Sequence, residues 1–200
     1  MILGSGPFLP PAGLGSAWPV AAVPSSPVAL AASPVHIGIM QIIDHPALDA
    51  ARQGFLDGLA AQGYKPGKNL QVEWYSAQGD MSTARTIAQK FVQENVDLVL
   101  AIATPTAQAM ANATRTIPIL ITAVTDPVAA GLVKSLSHPG TNVTGTTDMN
   151  PVKEQLALVK RLLPKARTVA VLYNAGEVNS VVQVKLARQA AKELGLQLLE

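Results

Sequence analysis

The chain has 200 residues, 48% of them apolar and 14% charged, with a net charge of +2 at neutral pH. So low a charged fraction favours buried strands and Ala-rich helices in one or two domains. Lysines and arginines are scattered and aromatic residues make up only 4%, which argues against a nucleic-acid surface, while the lack of cysteine excludes disulfides, thiolate metal sites and a cysteine nucleophile.

Residues 1–34 carry no charged side chain and are rich in Pro, Gly, Ala and Ser. That proline density stops helices, and the longest apolar runs fall short of the ~20 residues a membrane span needs. Ala29-Leu30-Ala31 resembles a signal cleavage site, yet the first basic residue is Arg52, so no positive leader region precedes it. The segment reads as a degenerate export signal or as a disordered extension.

A regular pattern starts at Val35. Residues 35–40 form a β-branched run, and His45-Pro46 followed by Leu48, Ala51, Phe55 and Leu59 predicts a helix stopped at Gly63. Residues 69–75 alternate as a strand; Asp80 then caps a helix with an apolar face of Ala84, Ile87, Ala88, Phe91 and Val92. Residues 97–103 are apolar enough for a strand covered on both faces. Thr104 and Pro105 open a helix through Ala113, residues 117–124 predict another strand, 127–130 a short helical turn, and 143–147 a strand. Beyond Pro151, a helix through Leu163, a strand at 167–173, a helix at 180–194 and a final strand from 196 are expected.

Strands alternating with helices at this spacing predict an α/β fold, a parallel sheet with helices on both faces. Residues 35–147 are expected to form a complete first lobe. Residues 148–200 read as a hinge and the truncated start of a second lobe, because two strands and two helices hardly bury their own faces.

Three turns fall where a buried strand gives way to a helix start, where free N–H groups and the helix dipole favour an anion: Thr104-Pro105, Asp126-Pro127 and residues 174–180. A carboxylate suits the first and third, and Asp126 can face an ammonium group. Thr104, with the N–H of Thr106, reads either as a carboxylate contact or as an ordinary N-cap. Asp126 reads as an ammonium partner or as the cap of its own turn. In the third turn Gly176 permits an unusual backbone angle, Asn179 or Ser180 can cap the helix, and Asn174 and Glu177 add further polar groups. The alternatives are a plain strand-to-helix loop and, for Glu177, a simple complement to the helix dipole.

Gln41, just past the first strand, and Thr147 with Asp148 at the proposed crossing are further candidates; a solvated loop residue and a hinge cap are their ordinary explanations. Tyr173, Tyr75 and Trp74 can stack on a ring or simply fill the core. The three histidines lack metal-ligand spacing, and no nucleophile elbow, nucleotide fingerprint or phosphate loop occurs. The pattern therefore suits a pocket for one small zwitterion, with no cofactor, no metal and no catalytic residues.

In chain order, HPALD at 45–49, ATPTAQA at 103–109, AVTDPVAAGLV at 123–133, PGTNVTGTTD at 139–148 and YNAGEVNS at 173–180 resemble bacterial ABC-transporter substrate-binding proteins of the tryptophan/tyrosine-binding type. The resemblance implies a type I periplasmic-binding-protein-like fold of two hinged α/β lobes. It also implies an amino acid, often aromatic, held in the cleft outside the cytoplasm and delivered to a permease driven by ATPase subunits. A ligand-sensing domain of a regulator or receptor would use the same architecture, and an α/β enzyme acting on a small metabolite is a third reading.

Overall fold

In the computed structural model, which describes residues 33–200, the first strand is Val35–Gln41 (β1) and its side chains alternate between two faces. The readings made for residues 1–32, the export signal or disordered extension, fall outside the described residues. Ile37 and Ile39 join a cluster covered by Leu48, Phe55, Leu56 and Leu59 of helix Pro46–Ala61 (α1). Met40 joins a second cluster, with Ile87, Ala88 and Phe91 of helix Met81–Gln93 (α2) and Ala107 and Met110 of helix Thr104–Ala113 (α3). Gly38 is required there, since a Cβ at that position would lie 2.9 Å from the Phe91 ring.

The helix starts follow their sequence signals. His45 Nδ1 accepts from the Ala47 N–H at 3.2 Å ahead of Pro46, and Asp80 accepts from the Thr83 N–H at 2.6 Å.

Strands Leu70–Ser76 (β2), Leu98–Ile102 (β3), Ile119–Val124 (β4) and Val143–Thr147 (β5) complete a five-stranded parallel sheet in the order β2-β1-β3-β4-β5. Residues 127–130 form turns and no α-helix. On β2, Glu73 accepts from Lys90 Nζ and from the Tyr75 hydroxyl, each at 3.0 Å, and lies 3.2 Å from His36 Nε2. The Lys90 ammonium holds the Glu73 carboxyl below its ordinary range.

Downstream, helix Val152–Leu162 (α4), strand Thr168–Ala170 (β6), helix Val178–Glu193 (α5) and strand Gln197–Leu199 (β7) form a two-stranded parallel unit. It has its own cluster of Leu156, Ala187, Ala190, Ala191 and Leu196. The predicted strand at 167–173 is cut to three residues, because only β7 pairs with it; Leu172 is wholly exposed. Val178, at the start of α5, packs instead against the larger cluster of the five-stranded sheet. Among the described residues no helix is long and apolar enough to cross a membrane.

Candidate functional site

Because every strand of the larger sheet runs the same way, residues that follow β1, β3, β4 and β5 share one rim. The chain leaves β1 toward β2 but leaves β3 toward β4, so its direction reverses between β1 and β3. In open parallel sheets that reversal opens a crevice beyond the strand ends, where small ligands bind. Gln41 closes β1, opposite Ile102, and Thr104 begins α3 two residues beyond Ile102.

Both side chains are buried, Gln41 at 0% and Thr104 at 2% exposure, and the Gln41 Oε1 and Thr104 Oγ1 atoms have no hydrogen-bond partner. A buried polar atom without a partner is expensive, by about 1–3 kcal/mol, and these two stand at the ends of the neighbouring strands β1 and β3. Gln41 is thus no solvated loop residue. Its Nε2 donates to the Ile43 carbonyl at 2.8 Å and to Asp49 Oδ1 at 3.1 Å.

Thr104 does not cap α3. The N-cap is Ala103, with φ 85° and ψ 155° and no side-chain capping bond, and Thr104 takes the first helical position. From that position its hydroxyl makes no capping bond and stays unpaired. Backbone of this kind in alanine stores on the order of 1–3 kcal/mol, and such strain gathers at functional sites. Thr106 spends its hydroxyl on the carbonyls of Ile102 at 2.7 Å and Ala103 at 2.9 Å, leaving only its first-turn N–H for an anion.

One strand further along, a bulge between Ile121 and Val124 puts Ala123 at φ 54°. It is matched by Gly145 on β5, at φ 145°, where any Cβ would overlap the Ile121 carbonyl oxygen and sit 2.7 Å from its nitrogen. Asp126 follows, half-buried, and its Oδ1 accepts from the N–H groups of Val128 at 3.0 Å and Ala129 at 2.9 Å. It therefore caps its own turn, the simpler of its two readings. Thr147 donates to the Thr125 carbonyl at 2.7 Å, and the Asp148 N–H donates to Val124 at 3.1 Å, so both close the rim next to that turn. Asp44 also lies past β1, its carboxyl held low by hydrogen bonds from Gln78 and Ser76.

In residues 174–180 the structure departs from the predicted cap. Glu177 is the N-cap of α5, without a capping side-chain bond, so Asn179 and Ser180 lie inside the first turn. Gly176 is not in the left-handed region; its N–H donates to Asn174 Oδ1 at 3.0 Å, an Asx turn that a side chain closes without special backbone. Glu177 receives Asn174 Nδ2 at 3.0 Å and Asn179 Nδ2 at 3.3 Å, leaving the Asn179 Oδ1 buried and unpartnered. Ser180, with Tyr173, lines an apolar groove of about 400 Å³ beside β6.

A larger groove of about 630 Å³ between α2 and α3 is lined by Arg85, Gln89 and Asn112. Neither groove takes in Thr104, Asp126 or Asn179. What the structure brings together is Gln41, Thr104, Thr106, Asp126, Thr147 and Asp148 along one rim.

Of the aromatic candidates, Tyr75 stacks on Phe91 at 5.8 Å, a core role, and Trp74 lies under the Arg52 guanidinium at 3.9 Å. Sequence reasoning missed Asp49, which accepts from Gln41; nothing about an acid in the first turn of α1 distinguishes it from one that merely complements the helix dipole.

The five-stranded parallel sheet with its helices has a fold like that of type I periplasmic binding proteins; a leucine-binding protein from Thermotoga maritima, 17% identical with a TM-score of 0.63, shares it. The chain belongs to the ABC transporter substrate binding protein family, whose sequence model matches residues 36–200. A tyrosine-binding protein from Clostridioides difficile is 50% identical over 165 residues, covering 82% of this chain and 48% of the relative, so the chain spans about half that protein's length. The ABC domain in complex with L-Trp from Streptococcus pneumonia is 41% identical with a TM-score of 0.80, over 83% of this chain and 56% of that one. A ligand-free, open substrate-binding protein with adhesive properties from Clostridium difficile is 52% identical with a TM-score of 0.66, over 82% and 56% of the two chains.

Proposed function

We propose that this protein is the extracytoplasmic solute-binding component of an ABC importer and takes up a free amino acid with an aromatic side chain. The observation that carries this reading is the pair of buried, unpartnered polar atoms on Gln41 and Thr104 at the point where the sheet reverses direction. The ligand carboxylate lies at the start of α3, on the Thr104 hydroxyl and the free N–H groups of Thr104 and Thr106. Asp126 and Glu177 supply negative charge for the ammonium group, and Asn174 in the loop before α5, with Asn179 and Ser180 in its first turn, approaches as the protein closes about residues 148–151. The packing of Val178 against the first sheet's core supports that approach. The aromatic preference comes from the tyrosine-binding and L-Trp-bound relatives. Binding stabilises the closed form, which the permease and its ATPase subunits then recognise.

Titration calorimetry with the twenty amino acids, a sugar and a nucleobase tests the assignment. Heat with tyrosine or tryptophan is expected. Heat with the sugar or nucleobase and with no amino acid refutes it.

A further inference from the structure

We propose that Val178 is a positioning residue: it docks the first turn of α5 on the first lobe, so that the chain's own atoms favour the closed arrangement and a ligand need not supply all of that closure; this deepens the amino-acid reading above and rests on it. Val178 is half-buried against the cluster of Met40, Phe91, Met110 and Val124, the core of the five-stranded sheet. The two-stranded unit to which α5 belongs has a separate cluster of Leu156, Ala187 and Ala190, and Val178 does not join it. Among the described residues it is the one apolar residue of 152–200 that packs against the larger core.

Little else ties the two units together. Residues 148–151 are exposed and in no helix or strand, and from them the Asn150 amide donates to Gln183 Oε1 on α5 at 3.1 Å. Among the described residues no hydrogen bond or ion pair joins 35–147 to 152–200. The turn that carries Val178 is stiffened by its neighbour Glu177, which accepts from Asn174 Nδ2 at 3.0 Å and from Asn179 Nδ2 at 3.3 Å. Taking a half-buried valine out of water shifts an equilibrium about threefold to tenfold. With so few other ties, that factor sets how much of the chain stands closed. A ligand held between Asp126 and the start of α5 needs the closed form, and its apparent Kd rises as the closed fraction falls. Val178 thus tunes affinity from outside the ligand's own contacts.

The test combines small-angle X-ray scattering with calorimetry against L-tyrosine, on the full chain. Val178→Ala is expected to raise the radius of gyration measured without tyrosine and to raise the tyrosine Kd about threefold to tenfold, while at saturating tyrosine its radius matches that of the parent. Val178→Ile keeps both quantities at parent values. Val181→Ala, at an exposed valine of the same helix, changes neither. A valine that only fills the core would lower the urea midpoint and leave the radius unmoved. An unchanged radius in Val178→Ala, a radius that stays raised at saturating tyrosine, or an equal loss of affinity in Val181→Ala overturns the proposal. Should Val178→Ala fail to fold, the isosteric Val178→Thr is read by the same two measurements. Absence of amino-acid binding to the unaltered chain refutes the proposed function instead, and the radii without ligand then decide on Val178.

Discussion

Replacing Thr104 with valine separates stability from binding. The Thr104 hydroxyl is buried and unpaired, and it caps nothing, since Ala103 holds the N-cap position. Valine keeps the branched shape and removes the oxygen, so the variant sheds the penalty of an unsatisfied buried hydroxyl, about 1–2 kcal/mol. For a domain of this size that is a rise of about 2–8 °C in Tm. Ligand affinity moves the other way: a lost hydrogen bond to a carboxylate is worth about 1.5–3 kcal/mol, or roughly a tenfold to 150-fold increase in Kd. Urea unfolding monitored by circular dichroism should show a higher midpoint with an unchanged slope. Calorimetry with L-tyrosine supplies the second quantity. A Thr104→Val protein that is less stable than the parent, or that binds tyrosine equally well, refutes the reasoning.

Two further outcomes rest on other parts of the sheet. Gly145→Ala forces a Cβ into the Ile121 backbone at φ 145°, and a loss of about 3 kcal/mol or more is expected in the urea midpoint, since backbone cannot move aside as a side-chain tip can. The depressed Glu73 carboxyl predicts an acid-dependent term: with its folded value below the ordinary 4.5, its stabilisation is fully present above that pH and is lost as the pH falls through the lower folded value. Glu73→Gln should flatten urea midpoints across that window, and an unchanged acid slope would show that the Lys90 contact does not act this way.

Element order was legible because apolar periodicity and caps agree locally: Asp80 accepts from Thr83, and Pro46 follows a capping His45. Two kinds of information were not. Positive φ at Ala103 and Ala123 is written nowhere in an alanine, so neither the displaced cap of α3 nor the β4 bulge was foreseen. Burial of a polar side chain at a strand end depends on what packs above it, so for Gln41 the sequence left a binding residue and a solvated loop residue side by side as readings. The turn at Asn174 was located correctly but built differently, because the Asx turn did without an unusual glycine angle and Glu177 took the cap position from its neighbours.

The place of β1 between β2 and β3 bears on how the chain reaches its native state. Pairing β1 with β3 joins positions such as His36 and Asp97, 61 residues apart, and a parallel arrangement offers no hairpin shortcut. β1 therefore waits, unpaired on one side, until β3 has been synthesised. Loop-closure entropy of that kind slows folding and leaves sticky strand edges in early intermediates. Refolding from denaturant should accordingly be slow and sensitive to protein concentration, and a newly made chain stays open longer than a helical bundle of equal length.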